Sequence, residues 1–366
     1  MSHNTIKLHK FFLSFVSFFL IWEKYFTIRL FRTNSTIMTK QYTCCLIGVW
    51  KQNIKDHLPA MQRSWRINVV WWFDTSEEAL ERLDSLWVSR YDNLDTMLDT
   101  VKPDFVSIAV PHHAYYPIIS QCSKRGIHIL KEKPFGMSAK ESESITQIIN
   151  KFHTKIQICA QKRFTYTYET LLRLLPQVWE IYSIFLQNTL ALDAVHSRRS
   201  DISQSWWGSV LDLWYHYLDL LVHLFWLPHS LSANVKYVNG LDTHMKCQFS
   251  YDSLQWNSGT KVLWNVLLSL TYYDKSDRFQ IYGSKWVIKL EGNTIGLYDP
   301  KNNLLEQHIY TNNNIDCIDK QIASFLDLLD NDKQNDIQTH FNTMKLIDAI
   351  YESDKLNSVV KLSTQE

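Results

Sequence analysis

The chain has 366 residues, 45% of them apolar, with 38 basic against 37 acidic side chains. That length exceeds what one hydrophobic core usually serves, so two domains are expected. The near-zero net charge gives no electrostatic ground for nucleic acid or an anionic membrane surface as a partner, which leaves a small-molecule ligand.

Residues 1–37 differ from the rest, carrying the mostly apolar run FFLSFVSFFLIW from Phe11 to Trp22, which is too short to span a bilayer. It is similar to a signal-peptide core, but no small-x-small cleavage site follows and a strand begins soon after Met38. The expected reading is a start assigned too far upstream, with the protein opening MTKQYTCCLIGV at Met38; a leader or membrane anchor is the alternative.

From Tyr42 the pattern alternates strand and helix. TCCLIGV, INVVWWFD, DFVSIAVP and IHILKEKP read as buried strands, and SEEALERL, NLDTMLDTV and YYPIISQCSKRG, capped by Gly126, read as helices. Such alternation predicts parallel pairing through right-handed crossovers, an α/β Rossmann-type doubly wound sheet over residues 38–160. After the helix SAKESESITQIINKF the rhythm changes. YSIFLQNTLAL, KCQFSYDSL, KVLWNVLLSLTYY, RFQIYGS and KWVIKLEG are strand-like, and SVLDLWYHYLDLLVHLF reads as one helix facing them. Residues 161–366 are therefore expected to form an α+β domain with a mostly antiparallel sheet, its two last helices packing back on the first domain. The six cysteines show no C-x-x-C pair and no His/Cys cluster at zinc spacing, so buried reduced thiols in a cytoplasmic protein, and no metal, are expected.

The first turn reads GVWKQN where a dinucleotide fold uses G-x-G-x-x-G to bring backbone amides to the pyrophosphate, and only Gly48 is kept; Trp50 and Asn53 hold the other two places. Asp74 ends the second strand 26 residues after Gly48, where an acid takes the ribose hydroxyls and repels a 2′-phosphate, favouring NAD over NADP. A plain helix N-cap is the other reading of Asp74.

The segment DFVSIAVPHHAYYPIISQCSKRGIHILKEKPFGMS, with Pro111, Gly126 and the triplet Glu132-Lys133-Pro134, resembles the Gfo/Idh/MocA oxidoreductases, departing from them at Tyr115, where histidine is common. SWWGSVLDLWYHYLDLLVHLFWLP resembles the G-G-x-x-x-D-x-G-x-H-x-x-D helix of the same family, and the likeness spans about residues 41–363. It implies a nicotinamide-dependent dehydrogenase or reductase acting on a sugar, cyclitol or related polyol, with Gly48, Trp50, Asn53, Asp74, Pro111, Tyr115, Glu132 and Lys133 around the cofactor. It further implies His216 as general base, Asp212 as its orienter or a substrate ligand, and Lys133 supporting the developing alkoxide. Arg163, in QKRF, is a candidate substrate contact or a structural ion pair; His112, His113 and His223 stay unassigned. A homo-oligomer, dimer or tetramer, through the second-domain sheet is also implied. Two other readings stay open: a nicotinamide-dependent glycosidase of the same fold, and a nucleotide-binding regulatory or scaffold protein that has lost catalysis.

Composition carries one anomaly. About 7% glycine would mean roughly 26 residues, yet the chain has 9 glycines and 14 tryptophans. Against the family pattern Trp50, Trp207, Trp214, Trp226 and Trp286 stand on glycine positions, and Trp65, Trp72, Trp87 and Trp179 stand at turns or element edges. So systematic an exchange points to a codon that is read as tryptophan but specifies glycine in the source; genuine tryptophans in a chain with impaired cofactor binding are the alternative.

Overall fold

The computed structural model describes residues 40–49, 52–76, 79, 81, 90–190, 208–252, 262–270, 275–311 and 313–362. The segment upstream of Met38, Trp50, Trp87, Trp207 and most of the helix expected at SEEALERL lie outside them. Short apolar runs build the first sheet. Strands β1 (Tyr42–Ile47), β2 (Ile67–Phe73), β3 (Arg90–Tyr91), β4 (Phe105–Ile108), β5 (His128–Glu132) and β6 (Ile156–Cys159) pair in parallel in the order 3-2-1-4-5-6. β4 is buried along its whole length, as expected of a strand covered on both faces by crossover helices. Those helices include α1 (Leu58–Arg63), α2 (Leu94–Val101), α3 (Tyr115–Lys124) and α4 (Ala139–Phe152).

Side chains fix where the helices begin and end. Asn93 accepts the Thr96 N–H at the start of α2, and Ser138 accepts the Glu141 N–H at the start of α4. Gly126, at φ 70°, closes the turn after α3. The strand order reverses between β1 and β4, which opens a crevice at their carboxyl ends.

The second sheet contains β7 (Ile181–Thr189), β8 (Ser230–Val238), β9 (Leu241–Tyr251), β10 (Val262–Ser269), β11 (Ser276–Gly283), β12 (Val287–Glu291), β13 (Thr294–Tyr298), β14 (Leu304–Ile309) and β15 (Val360–Lys361) in the order 14-13-12-11-7-10-9-8-15. All pairings are antiparallel except β7 with β10. The expected α/β doubly wound sheet followed by a mostly antiparallel one is thus the architecture observed. Before β7 lies α5 (Tyr166–Leu174).

The single helix expected over SVLDLWYHYLDLLVHLF is instead two, α6 (Ser209–Asp212) and α7 (Tyr215–Phe225). The Leu213 and Trp214 amides both donate to the Ser209 carbonyl, and this doubled bond breaks the regular ladder between them. α6 is anchored from the sheet by Asp242, whose carboxylate accepts the Val210 N–H at 2.6 Å.

Two helices complete the molecule. α8 (Asn313–Asp330) lays Ile322 and Phe325 on the first sheet, where the Phe325 ring meets Phe105 at 5.0 Å. α9 (Ile337–Leu356) crosses the second sheet, Ser353 accepting the Ala233 N–H and Asp354 the Val235 N–H. All six cysteines are buried. Among the described residues no helix is long and apolar enough to cross a membrane.

Candidate active site

The site is assembled at the carboxyl ends of β1, β4 and β5. Gly48 leaves β1 at φ 84°, and a Cβ there would stand 2.1 Å from the Ala109 carbonyl oxygen after β4, so only glycine fits the turn. Asp74, at the end of β2, accepts the Val49 N–H at 2.6 Å through Oδ2 and the Ser76 N–H at 2.9 Å through Oδ1. Its carboxylate is thereby fixed against the glycine turn. Asn53, expected beside the cofactor, is fully buried. It donates to the Gly48 carbonyl at 2.7 Å and accepts the Ser107 hydroxyl at 2.9 Å, so it ties the turn to β4.

β5 delivers Glu132 and Lys133. Glu132 Oε1 is 2.7 Å from His57 Nε2 and accepts Gln161 Nε2 at 3.2 Å. Burial pushes its carboxyl up, but the His57 bond and the charge of Lys133 outweigh this and hold it below the ordinary value. Lys133 Nζ donates to both Oδ1 and the backbone oxygen of Asp212, each at 2.6 Å, across the gap between the two sheets. Beneath them Tyr115 is buried, its hydroxyl donating to the Lys133 carbonyl at 3.2 Å, which makes it a support of the Lys133 turn. Pro111 at φ −53° starts the turn that leads into α3.

His216 opens α7 beside this pair. Burial first, then the charge of Lys133, draws its imidazole from the ordinary 6.5 down to about 4, and its buried Nδ1 has no hydrogen-bond partner among the described residues. Its ring is neutral at pH 7. The break between α6 and α7 has a consequence for Asp212: it does not lie one turn below His216 on a continuous helix, and it holds Lys133.

Three residues of the site carried no role in the sequence. His112, immediately after Pro111, is drawn down to about 4 by burial and by Lys133. His57 pairs with Glu132, a contact that bridges 75 positions and leaves no local signature. Lys131 is buried under the Tyr115 ring at 3.6 Å, donates to the Glu132 carbonyl at 2.8 Å and to that of Pro134, and is drawn down to about 7 by burial. It braces the end of β5. His57, Glu132 and Cys159 place ligand-type atoms within 4.8 Å of one another. Burial pushes the Cys159 thiol well up.

Arg163, expected as a substrate contact or a structural ion pair, is placed by the geometry in a buried ion network. Its guanidinium meets Asp219 at 2.5 and 2.6 Å and Asp336 at 2.6 Å. Asp219 is fully buried and also contacts His340 Nδ1 at 2.9 Å. Arg163 and His340 together hold its carboxyl well below the usual range against the effect of burial.

A parallel sheet of this order, with a glycine turn at its reversal point, an acid at the end of β2 and a Lys–Asp–His group above it, defines a dinucleotide-binding oxidoreductase fold. Residues 43–159 match the family model described as oxidoreductase family, NAD-binding Rossmann fold. The chain is similar to the Gfo/Idh/MocA oxidoreductases over residues 43–159 of its 366. An uncharacterized oxidoreductase of Schizosaccharomyces pombe is 26% identical over 44% of each chain. The scyllo-inositol 2-dehydrogenase (NADP(+)) IolW of Bacillus subtilis is 22% identical over 36% of this chain and 37% of its own. The aligned part thus spans less than half the length of these relatives. In fold, the chain superposes on a levoglucosan dehydrogenase in complex with NADH and levoglucosan at TM-score 0.77, with 13% identity over 89% of this chain and all of the other. The WlbA dehydrogenase of Bordetella pertussis, in complex with NADH and UDP-GlcNAcA, follows at 0.74, with 17% identity over 89% and 100%.

Proposed function

We propose that the protein transfers a hydride between NAD, in preference to NADP, and a hydroxyl or keto carbon of a sugar, cyclitol or related polyol. The observation that carries this reading is the meeting of Lys133, Asp212 and the neutral His216 above the crevice that Gly48 opens.

The residues present fit a dinucleotide. The tight Gly48 turn lets backbone approach a pyrophosphate, and Asp74 stands beside it as the acid for ribose hydroxyls, its charge opposing a 2′-phosphate. Glu132, held ionised by His57, offers a further acceptor at the end of β5. A bound nicotinamide would supply the carbon that takes up or gives back the hydride. His216 removes the substrate hydroxyl proton, and Lys133, oriented by Asp212, stabilises the alkoxide that develops.

A cavity of about 180 Å³ is lined from α7 by Tyr217, Leu220 and Leu221, and not by His216, Lys133 or Asp212. Its polar rim has Tyr217 donating to Asp277 at 2.8 Å and Lys162 at 3.7 Å from Asp277, while Leu220 and Phe279 form an apolar wall. Paired donors and acceptors beside an apolar wall suit the hydroxyls and C–H faces of a sugar ring. The names of the levoglucosan and scyllo-inositol dehydrogenases agree with this class. The buried thiols fit a reducing, cytoplasmic setting, and assembly as a homo-oligomer through the second sheet is part of the same proposal.

The test is a screen of cofactor reduction over neutral sugars and inositols with NAD and NADP, run beside the His216→Ala variant. NADH formation that the variant loses supports the reading. Substrate turnover without net NADH points to the glycosidase alternative, and failure of the Trp50→Gly protein to bind either dinucleotide overturns the proposal.

A further inference from the structure

Three tryptophans sit at positive φ, and two of them adopt backbone conformations that belong to glycine. Trp65 has φ 50°, Trp179 φ 67° with ψ −131°, and Trp226 φ 67° with ψ −164°. Other side chains here sit at positive φ, but Lys102, His153 and Asn357 do so in the compact left-handed region, with ψ 56°, 35° and 42°. The ψ values of Trp179 and Trp226 lie outside it, where essentially only glycine is found.

Each of the three ends a helical turn: Trp65 follows the Ser64 cap of α1, Trp179 follows the turn Leu175–Val178, and Trp226 caps α7 two residues before Pro228. Glycine predominates at such positions because it terminates a helix without a Cβ clash. The surroundings enforce the geometry. Ser284 and Lys285 donate to the Glu180 and Val178 carbonyls on either side of Trp179, and Tyr251 donates to the Trp226 carbonyl at 3.1 Å.

The indoles themselves have no role in the core. Among the eight described tryptophans, only these three are exposed, at 65%, 60% and 38%, and they are the ones at positive φ. Trp264 behaves oppositely. It is buried in extended β10 with Phe225 and Tyr251 rings at 4.6 and 4.8 Å, as a tryptophan selected for packing would be. Trp72, Trp214 and Trp264 are alike in being buried with indole N–H groups that have no partner among the described residues, and Trp72 lies within β2, not at its edge.

We infer that the native protein carries glycine at positions 65, 179 and 226, and that one class of codon read as tryptophan specifies glycine in its source. Trp50 belongs to the same class on sequence grounds. A glycine in its place would put glycines on both sides of Val49, the close-approach pair a pyrophosphate requires.

Peptide mass spectrometry of the protein from its natural source is decisive. Peptides spanning 65, 179 and 226 are expected to carry glycine masses while that spanning 264 carries tryptophan; tryptophan masses at all four overturn the inference. A second measurement uses recombinant protein with tryptophan at every one of these positions as the parent. Trp179→Gly and Trp226→Gly are each expected to raise Tm, on the order of 3 °C, whereas Trp264→Gly lowers it; a fall for the first two contradicts the backbone reading. Dinucleotide binding tighter in Trp50→Gly than in the parent extends the inference to the cofactor turn, and unchanged binding confines it to the three helix ends.

Discussion

His216 and Lys133 set opposite conditions on one small volume, since a base must be free of its proton where an ammonium sits close by. Burial and the neighbouring charge meet both conditions by keeping the imidazole neutral. Replacing His216 with alanine is expected to lower kcat/KM by about 10²–10⁴ while leaving the far-UV spectrum unchanged. Asp212→Asn should act through Lys133, with kcat falling more than KM rises, because the carboxylate orients the ammonium and not the base.

The same burial makes the fold sensitive to acid. His216 and His112 titrate near 4 and His223 near 3, each drawn down first by burial, against 6.5 in the unfolded chain. Below pH 6.5 the unfolded chain binds protons that the folded one refuses, so stability falls as pH drops towards 4. Asp242, raised to about 6 by burial, has the opposite sign, losing stability as pH rises from 3.8 to 6. Two raised carboxyls, Asp242 and Asp348, against five lowered imidazoles, with His128 and His244 added, leave a net loss on acidification, and Tm should be lower at pH 5 than at pH 7.5. An unchanged Tm would mean that these histidines are solvated.

At the scale of elements, the Arg163 network joins the turn after β6 to α7 and to the start of α9. Arg163→Leu leaves Asp219 ionised and buried without its main partner, which should cost about 3–5 kcal/mol in denaturant unfolding. Adding Asp219→Leu should restore much of the loss, since a matched apolar pair removes the stranded charge. This scale also shows what the sequence made legible. β1, β4 and β5 are buried on both faces and read directly as apolar runs, and the Glu132-Lys133-Pro134 triplet is legible with them. β3 has only two residues, and β8, SLSANVKYV, exposes half its length, so neither produced an apolar signal. The break at Leu213 and Trp214 was hidden because both residues continue the apolar pattern of the helix they interrupt, and with it the true partner of Asp212.

For the whole molecule, one face of the second sheet packs on helices, while the other presents half-buried Phe185, Leu267 and Tyr282 around exposed Leu263. Assembly through this face is the expected means of covering it. Sedimentation should find a dimer or tetramer that Leu263→Lys shifts towards monomer; a monomeric parent would refute the assignment.

The Arg163 network also bears on how the molecule comes into being. Arg163 and Asp219 leave the ribosome long before Asp336 and His340 on α9. Until then the first sheet can form by itself, but the junction with the second holds an unfinished charge cluster. The order of synthesis thus makes α9 the closing element, and a nascent chain stalled short of residue 336 should remain open to protease at this junction after its nucleotide half has become resistant.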